Sequence, residues 1–468
     1  MIPNTPGGID TGFRAALQRL QAAGRLRWYE GAADPEFEIA GIMKKIDGGP
    51  ALLFPEVKGH AMPVLGNFLA SRENCEAAFA TDYRGIRAMI GRAFGHPLPP
   101  EIVAEAPVHE NVHTTFDLGV QLPILRHGDG DAGRFITAGI VVAQDPETGV
   151  YNASYHRLQL IGPQRTAIKL DFGRHLRQAF ERAQRMGKPL PIAVCIGTDL
   201  AVYYTAATMG ALMPEGADEF AIAGRLAGRP IAMVKARSQD LLYPAETEIV
   251  IEGVLRPAET VREGPFGEFV GYLSPEGEAP VFEASALCHR HRPLYHAING
   301  VGRETVMLRK YVLEASLLSA LQAAVPIVRD VEMTAGGLHR FHAVLSVRKD
   351  SEAHEGFQRN AILAAFATLK DLDLVIAVDD DIDIRDPLDV EYALAMRMEG
   401  SRDLFVVPGA RAHEYVRVSD NGRRAKVGID ATVPFAERDR FRRAPFREVT
   451  TSLDRFGTKA KSALPWLD

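Results

Sequence analysis

Apolar positions recur at helical spacing between residues 11 and 23, at Phe13, Leu17, Leu20 and Ala23, and Gly24 ends the run. That pattern predicts an amphipathic helix covering part of a core. Residues 51–54 read as a buried strand and residues 75–93 as one long helix, and Gly95-His-Pro-Leu-Pro-Pro then breaks the pattern before Glu101. From Phe135 to Ala297 the chain is rich in strands, predicted over 136–143, 154–161, 192–196, 231–236, 248–255 and 281–287. Helices predicted over 174–186 and 218–226 interrupt this stretch. Residues 311–325 give a helix that is apolar on broad faces, the mark of a buried connector. Beyond it, strands at 341–347, 374–378 and 404–407 alternate with helices at 356–369 and 389–398, an α/β pattern. The charged tail from Asp420 reads as loop. The expected fold class is α/β, α+β overall, around a largely antiparallel β centre.

At 468 residues, 46% hydrophobic and 24% charged, the chain has ordinary globular composition and is too long for one domain. Its net charge of −6 offers no basic field for a polyphosphate backbone, which excludes nucleic acid as the main partner. Cys75, Cys195 and Cys288 lie far apart without C-x-x-C spacing, so neither a disulfide framework nor a zinc cage is expected. No basic stretch leads into an apolar segment at the start, and no run approaches 18 apolar residues. The expectation is a cytoplasmic protein, neither secreted nor membrane-spanning.

Two stretches carry candidate chemistry. The first runs from Asp145-Pro-Glu-Thr-Gly through Asn152 to Arg157, followed by Asp171-Phe-Gly-Arg174-His175. On a regular strand Asn152 and Arg157 face opposite sides and serve different ligands. An Asn oxygen, the His175 imidazole and the Glu219 carboxylate could ligate Mg²⁺, Mn²⁺ or a similar ion. The same residues also suit a turn cap, a surface histidine and a helix N-terminus, and spacing alone favours those roles. The second stretch is Glu263-Gly-Pro-Phe-Gly-Glu268. Its two carboxylates flank a turn and can converge on one pocket, where repulsion and burial raise the pKa of one, or both can be solvated.

Three other motifs lose to plainer readings. Gly300-Val-Gly-Arg-Glu-Thr lacks the third glycine of a dinucleotide fingerprint and does not clearly open a helix after a strand. Asp379-Asp-Asp381-Ile-Asp383 has Ile384 and Val390 where a calcium loop needs glycine and glutamate, so it reads as an acidic turn. His289-Arg-His291-Arg-Pro reads as a solvated edge.

Taken in order, the motifs resemble the UbiD family of decarboxylases, which use prenylated FMN. They run from Phe54-Pro-Glu, Gly66-Asn67 and Ser71-Arg72 through the two stretches above, with Pro214-Glu-Gly-Ala-Asp-Glu219, Pro244-Ala, Glu248 and Glu252-Gly253. They end with Val378-Asp-Asp-Asp-Ile-Asp383 and Lys426-Val-Gly-Ile-Asp-Ala-Thr432. Tyr295-His296-Ala-Ile-Asn299-Gly-Val-Gly-Arg303-Glu304 is similar to the branch acting on furan, pyrrole and related heteroaromatic acids.

The resemblance implies an N-terminal α/β domain (1–115), a central split-β-barrel flavin-binding domain (116–308), a linking helix (309–325) and a C-terminal α/β dimerisation domain (326–468). It implies that Asn152, His175 and Glu219 ligate Mn²⁺ (or Mg²⁺) at the cofactor phosphate, with K⁺ close by. Arg157, Glu263 and Glu268 match the catalytic network, and Ser154, Tyr155 and Arg174 join Asn152, Arg157, His175 and Glu219 around the cofactor. His296 is the candidate substrate contact. Arg174 stands where some members have Gln, and Asp373, with Lys370 near it, where some have Lys; both roles stay open.

The implied function is reversible non-oxidative decarboxylation of an aromatic, heteroaromatic or α,β-unsaturated acid through a covalent adduct with prenylated FMN. A flavin prenyltransferase would supply the cofactor, and a homodimer or higher homo-oligomer is implied. An inactive flavin-binding or assembly protein would not need the Arg157, Glu263 and Glu268 set. A metal-dependent hydrolase would want an H-E-x-x-H helix, which the sequence lacks.

Overall fold

The computed structural model describes residues 9–171, 175–208, 216–418 and 422–445. Helix Phe13–Ala22 buries Phe13, Ala16 and Leu20. Its Arg14 donates through Nε and Nη2 to the two oxygens of Glu248, at 2.6 and 2.8 Å, which fastens the helix to the centre of the molecule. The single helix expected over 75–93 is two helices, Arg72–Phe79 and Tyr83–Gly95. Ala80 turns left-handed (φ 48°) and the Asp82 carboxylate accepts from Gly85 N, so the chain stops and restarts although the apolar spacing runs on.

Strands Leu26–Trp28, Ala51–Phe54, Val64–Gly66 and Tyr295–His296 form a four-stranded sheet. Its last strand pairs in parallel with Val64 and Leu65, so the chain returns to the N-terminal sheet after building the centre. Strands Glu101–Val103 and Asn111–His113 pair with residues 232–234 and 287–289 of that centre.

The central sheet has nine strands, paired antiparallel throughout. Along its main path the order is Tyr151–Tyr155, Ile140–Gln144, Leu190–Ile196, Ile249–Glu263, Gly277–His289, Arg165–Ile168, Leu158–Gly162 and Phe135–Ile136. The strand expected over 154–161 is therefore two strands near opposite ends of this order, joined only by His156 and Arg157. Three backbone steps reach at most about 11 Å, so the two ends of the sheet lie side by side and the sheet is rolled up. His156 N donates to Gly139 O at 3.3 Å across that seam. Arg157 thus sits in the seam, and the expectation that it faces away from Asn152 on one regular strand is corrected.

Strand Ile249–Glu263 runs eight residues past its expected end and so delivers Glu263 to the seam. It bulges between Glu252 and Gly253, where a Cβ on Gly253 would lie 2.2 Å from the Glu283 carbonyl oxygen. Gly253→Ala is expected to destabilise the protein by at least the roughly 1–3 kcal/mol of an overpacked core, read as a lower urea midpoint. The buried helix Leu200–Ala206 was not foreseen, because a seven-residue segment buried on every side shows no helical period.

The linking helix spans Arg303–Ala324, starting well before both the 311–325 helix read from the pattern and the 309–325 linker the resemblance implies. Gly300-Val-Gly-Arg does open it after strand Tyr295–His296, which corrects that part of the motif reading. Met307, Leu308, Tyr311 and Val312 enter the core shared with the N-terminal helices, and Leu313, Leu317 and Leu321 enter the C-terminal core. One helix thereby couples both ends of the molecule.

The C-terminal sheet runs Val328–Met333, His342–Val347, Leu374–Asp379, Arg423–Ala431, Leu404–Arg411. The tail expected as loop contributes an interior strand, Arg423–Ala431, parallel to Leu374–Asp379. Arg423, Arg424 and Lys426 hid it. Lys426 is buried and donates to Lys370 O at 2.8 Å and to Leu372 O.

Candidate active site

Arg157 is the hub of the site. Its Nε and Nη2 donate to the two oxygens of Glu263 at 2.7 and 2.8 Å, Nη2 also reaches Ser274 Oγ at 3.0 Å, and Nη1 donates to Glu268. The guanidinium lies 5.1 Å over the Phe266 ring. The Glu263 side chain is 0% exposed and that of Glu268 17%, so the two carboxylates of the motif have different tasks. Glu263 locks Arg157, and Glu268 faces the cavity.

Burial raises Glu268 above the ordinary carboxylate range against the pull of Arg157, and the charges of Asp171 and Glu263 add to the rise. Burial works against the charge of Arg157, but the hydrogen bonds and charge of Glu263 leave its pKa raised. The turn between the carboxylates is pinned by Gly264 N to Gln159 Oε1 (2.9 Å), Gly267 N to Asp131 Oδ1 (2.9 Å) and Phe266 N to Ser274 Oγ (3.2 Å).

The second cluster is Asn152, His175 and Glu219. Asn152 Nδ2 donates to Glu219 Oε1 at 2.8 Å, and His175 Nδ1 lies 3.6 Å from the same oxygen. Of the plainer readings only that of Glu219 holds, since it stands in the first turn of Glu219–Ala227 behind the Asp218 cap; Asn152 caps no turn but lies buried within strand Tyr151–Tyr155, and His175, in helix His175–Arg185, lines a chamber. Ser154 Oγ donates to Asn152 Oδ1 at 3.0 Å. Glu219 Oε2 is buried without a hydrogen-bond partner among the described residues, and burial raises the carboxyl above its ordinary range although His175 and Asn152 pull it down. An orphaned carboxylate oxygen beside an imidazole and an amide is a donor set that fits a divalent cation, with the amide turned to offer oxygen.

The two clusters line adjoining chambers. One, about 150 Å³, is walled by Arg157, Glu268, Phe266, Phe269, Ile298 and Leu308 among others; the other, about 70 Å³, by Asn152, Ser154, His175 and Glu219 among others. Tyr155, His156, Asp171, Ala207 and Arg309 line both.

His296 does not reach either chamber: it is 0% exposed, its Nδ1 2.9 Å from the Tyr203 hydroxyl and its Nε2 3.1 Å from Glu304. Asp373 is buried against Arg424 at 2.8 Å, away from both chambers. Arg174 lies outside the described residues.

Sequence reasoning missed Lys169, Arg309, Arg340, His413 and Tyr415, which line the larger chamber. No motif flags them. Arg340 is tied to Asp371 at 2.6 Å and lies 5.3 Å over Phe269. Burial and Arg340 push the His413 imidazole down to about 3, so it is neutral. The His289 cluster is not simply solvated, because His289 is half-buried with its Nε2 3.0 Å from that of His113. One other donor cluster exists among the described residues, His109, Glu252 and Cys288. Glu252 there is already saturated by Arg237 N, Ser238 N and Oγ, and Tyr243 Oη.

The N-terminal, Rift-related and C-terminal domains of 3-octaprenyl-4-hydroxybenzoate carboxy-lyase match residues 17–94, 101–303 and 306–431 in that order. The chain belongs to the UbiD family. It is a carboxy-lyase, and its three-part α/β architecture is the family's. HmfF from Pelotomaculum thermopropionicum, solved with FMN, superposes with a TM-score of 0.89 at 40% identity over 95% of this chain and 98% of that one. An evolved dimeric form of HmfF, solved with prFMN, gives 0.84 at 38% over 96% and 99%. Apo 3,4-dihydroxybenzoic acid decarboxylase from Enterobacter cloacae gives 0.89 at 31% over 95% and 98%. Anhydromevalonate phosphate decarboxylase of Methanosarcina mazei is 34% identical over 92% of this chain and 98% of its own length. Among the described residues of this UbiD protein no helix is long and apolar enough to cross a membrane.

Proposed function

We propose that the protein is a prenylated-FMN-dependent decarboxylase of a planar unsaturated acid, aromatic, heteroaromatic or α,β-unsaturated. One observation carries the reading: the Arg157, Glu263 and Glu268 network faces one chamber while the Asn152, His175 and Glu219 donor set faces the next. That spacing suits a cofactor anchored by its phosphate at one end and reactive at the other. Asn152, His175 and Glu219 would hold Mn²⁺ or Mg²⁺ at the phosphate, and the family resemblance adds K⁺ beside it. Ser154 and Tyr155 would border the cofactor. When bound, the prenylated ring supplies the electron sink that loss of CO₂ from an sp² carbon requires.

The chain's own residues position the substrate and move the proton. Arg157, immobilised by Glu263, presents Nη1 to the chamber, where a substrate carboxylate would compete with Glu268 for it. Phe266, Phe269, Ile298 and Leu308 form apolar walls that suit a flat ring and exclude water. Glu268, whose pKa is raised chiefly by burial, delivers the proton that replaces CO₂. The resemblance to HmfF favours a heteroaromatic acid. Leu388, Tyr392 and Met396 leave an exposed apolar stripe on helix Pro387–Arg397, which supports a homodimer through the C-terminal part. The three free cysteines are buried, in keeping with a reducing cytoplasm.

The anchoring end is tested by His175→Ala. Losing one of three inner ligands is expected to cut metal and flavin retention about 10- to 100-fold, measured by metal analysis and flavin absorbance of the purified protein. Unchanged occupancy of both would remove His175 from the site.

A further inference from the structure

Strand Arg165–Ile168 pairs antiparallel with Leu158–Gly162, Leu158 standing opposite Ile168. One residue further, Lys169 N donates to Arg157 O at 3.3 Å, so the pairing continues into the seam and sets Lys169 opposite Arg157. Residues opposite each other on an antiparallel pair share a face, with their Cβ atoms about 5 Å apart, and both of these border the larger chamber. His156 Nδ1 donates to Lys169 O at 2.8 Å and fixes the backbone there. On the other flank Gly277 stands opposite Glu263, and a Cβ on Gly277 would lie 3.8 Å from Lys169 Nζ. The ammonium therefore lies on the Glu263 side of the hub, where glycine leaves it room.

The hub has no charge to spare. Arg157 gives Nε and Nη2 to Glu263, shares Nη2 with Ser274 and gives Nη1 to Glu268. The charge of Arg157 is cancelled by that of the fully buried Glu263. A carboxylate entering against Nη1 brings one more negative charge into a largely buried site, which is costly unless a second cation stands close. Of the other cations in the chamber, Arg340 is tied to Asp371 at 2.6 Å and Arg309 lies 5.9 Å over the Phe269 ring. Among the described residues no carboxylate pairs with Lys169.

We infer that Lys169 is a substrate-binding residue whose ammonium meets the carboxylate of the acid in the larger chamber and supplies the positive charge that Arg157 has given to Glu263. The inference rests on the proposed reading that an unsaturated acid occupies this chamber, and it adds the group that balances the charge of that acid. The two cations divide the work. The planar fork of Arg157 is held by Glu263 and sets the plane of the carboxylate, while Lys169 acts as a point charge on a flexible stem. An amide of the same ring gains nothing from Lys169, because it brings no charge to meet the ammonium.

The test is calorimetric binding of furan-2-carboxylate and of furan-2-carboxamide to the full chain made without the flavin prenyltransferase. It needs no turnover, so a failure of the decarboxylase reading shows in CO₂ release and leaves this result standing. Lys169→Met is expected to weaken binding of the carboxylate about 10- to 100-fold, the usual worth of a hydrogen bond to a charged group, and to leave that of the carboxamide unchanged. Lys169→Arg, which keeps the charge, is expected to bind the carboxylate nearly as the parent does. Lys169→Gln reads the same loss if Lys169→Met does not fold. Equal carboxylate affinity in parent and neutral variant, an equal loss for carboxylate and carboxamide, or no carboxylate binding by the parent would each overturn the role of Lys169.

Discussion

Glu268→Gln is expected to fold and load cofactor like the parent while turnover drops about 10²- to 10⁴-fold, the usual cost of losing a positioned general acid. The amide has nearly the same volume and can still accept from Arg157, but it carries no transferable proton. Because burial and neighbouring anions raise Glu268, the parent should keep its acid form, and its activity, at pH values above the roughly 4.3 of a free glutamate. Activity should fall as pH rises through the raised pKa, since deprotonation removes the proton to be delivered. Glu263→Gln is expected to act earlier in the reaction. It loosens Arg157 and hence carboxylate orientation, so CO₂ release falls. Deuterium incorporation from solvent at the vacated carbon, measured beside CO₂ release, separates the two variants. Wild-type exchange and turnover in Glu268→Gln would show that Glu268 is not the acid.

Arg157→Ala is expected to cost about 3–5 kcal/mol of stability as well as activity, the typical penalty for stranding a buried charge. Glu263 is fully buried and both of its oxygens accept from Arg157. Replacing the pair together, as Arg157→Met with Glu263→Gln, should recover much of the stability and none of the activity. Urea midpoints and CO₂ release of both variants check this; equal stability of Arg157→Ala and parent would contradict the buried pair.

The chemistry was readable where it lies in contiguous motifs. Residue type picks out Asn152, His175 and Glu219, while spacing alone favours plainer roles, of which only Glu219 at a helix N-terminus is found; Asn152 lies within a strand and His175 lines a chamber. For Glu219 both uses coincide, because a helix start aims side chains into the cavity it borders. Arg157 was found by motif but placed on the wrong geometry. A two-residue seam between sheet ends cannot be seen in an alternation pattern that continues across it. Tyr415, His413 and Arg340 reach the chamber only through pairing of the C-terminal sheet and packing across the linking helix, and nothing local marks them. His296 illustrates the converse. Its motif was legible, but its ring is enclosed between Tyr203 and Glu304, whose carboxylate also accepts from Phe68 N and Leu69 N.

The central claim is that decarboxylation by this chain depends on the prenylated flavin. The most direct measurement compares protein co-expressed with a flavin prenyltransferase and protein made without it, identifying the released cofactor by mass and absorbance and assaying CO₂ release from a panel of heteroaromatic and aromatic acids. The account predicts CO₂ release only from protein carrying the prenylated cofactor, with the other preparation folded and inactive. Equal CO₂ release from protein shown to hold no modified flavin would contradict it.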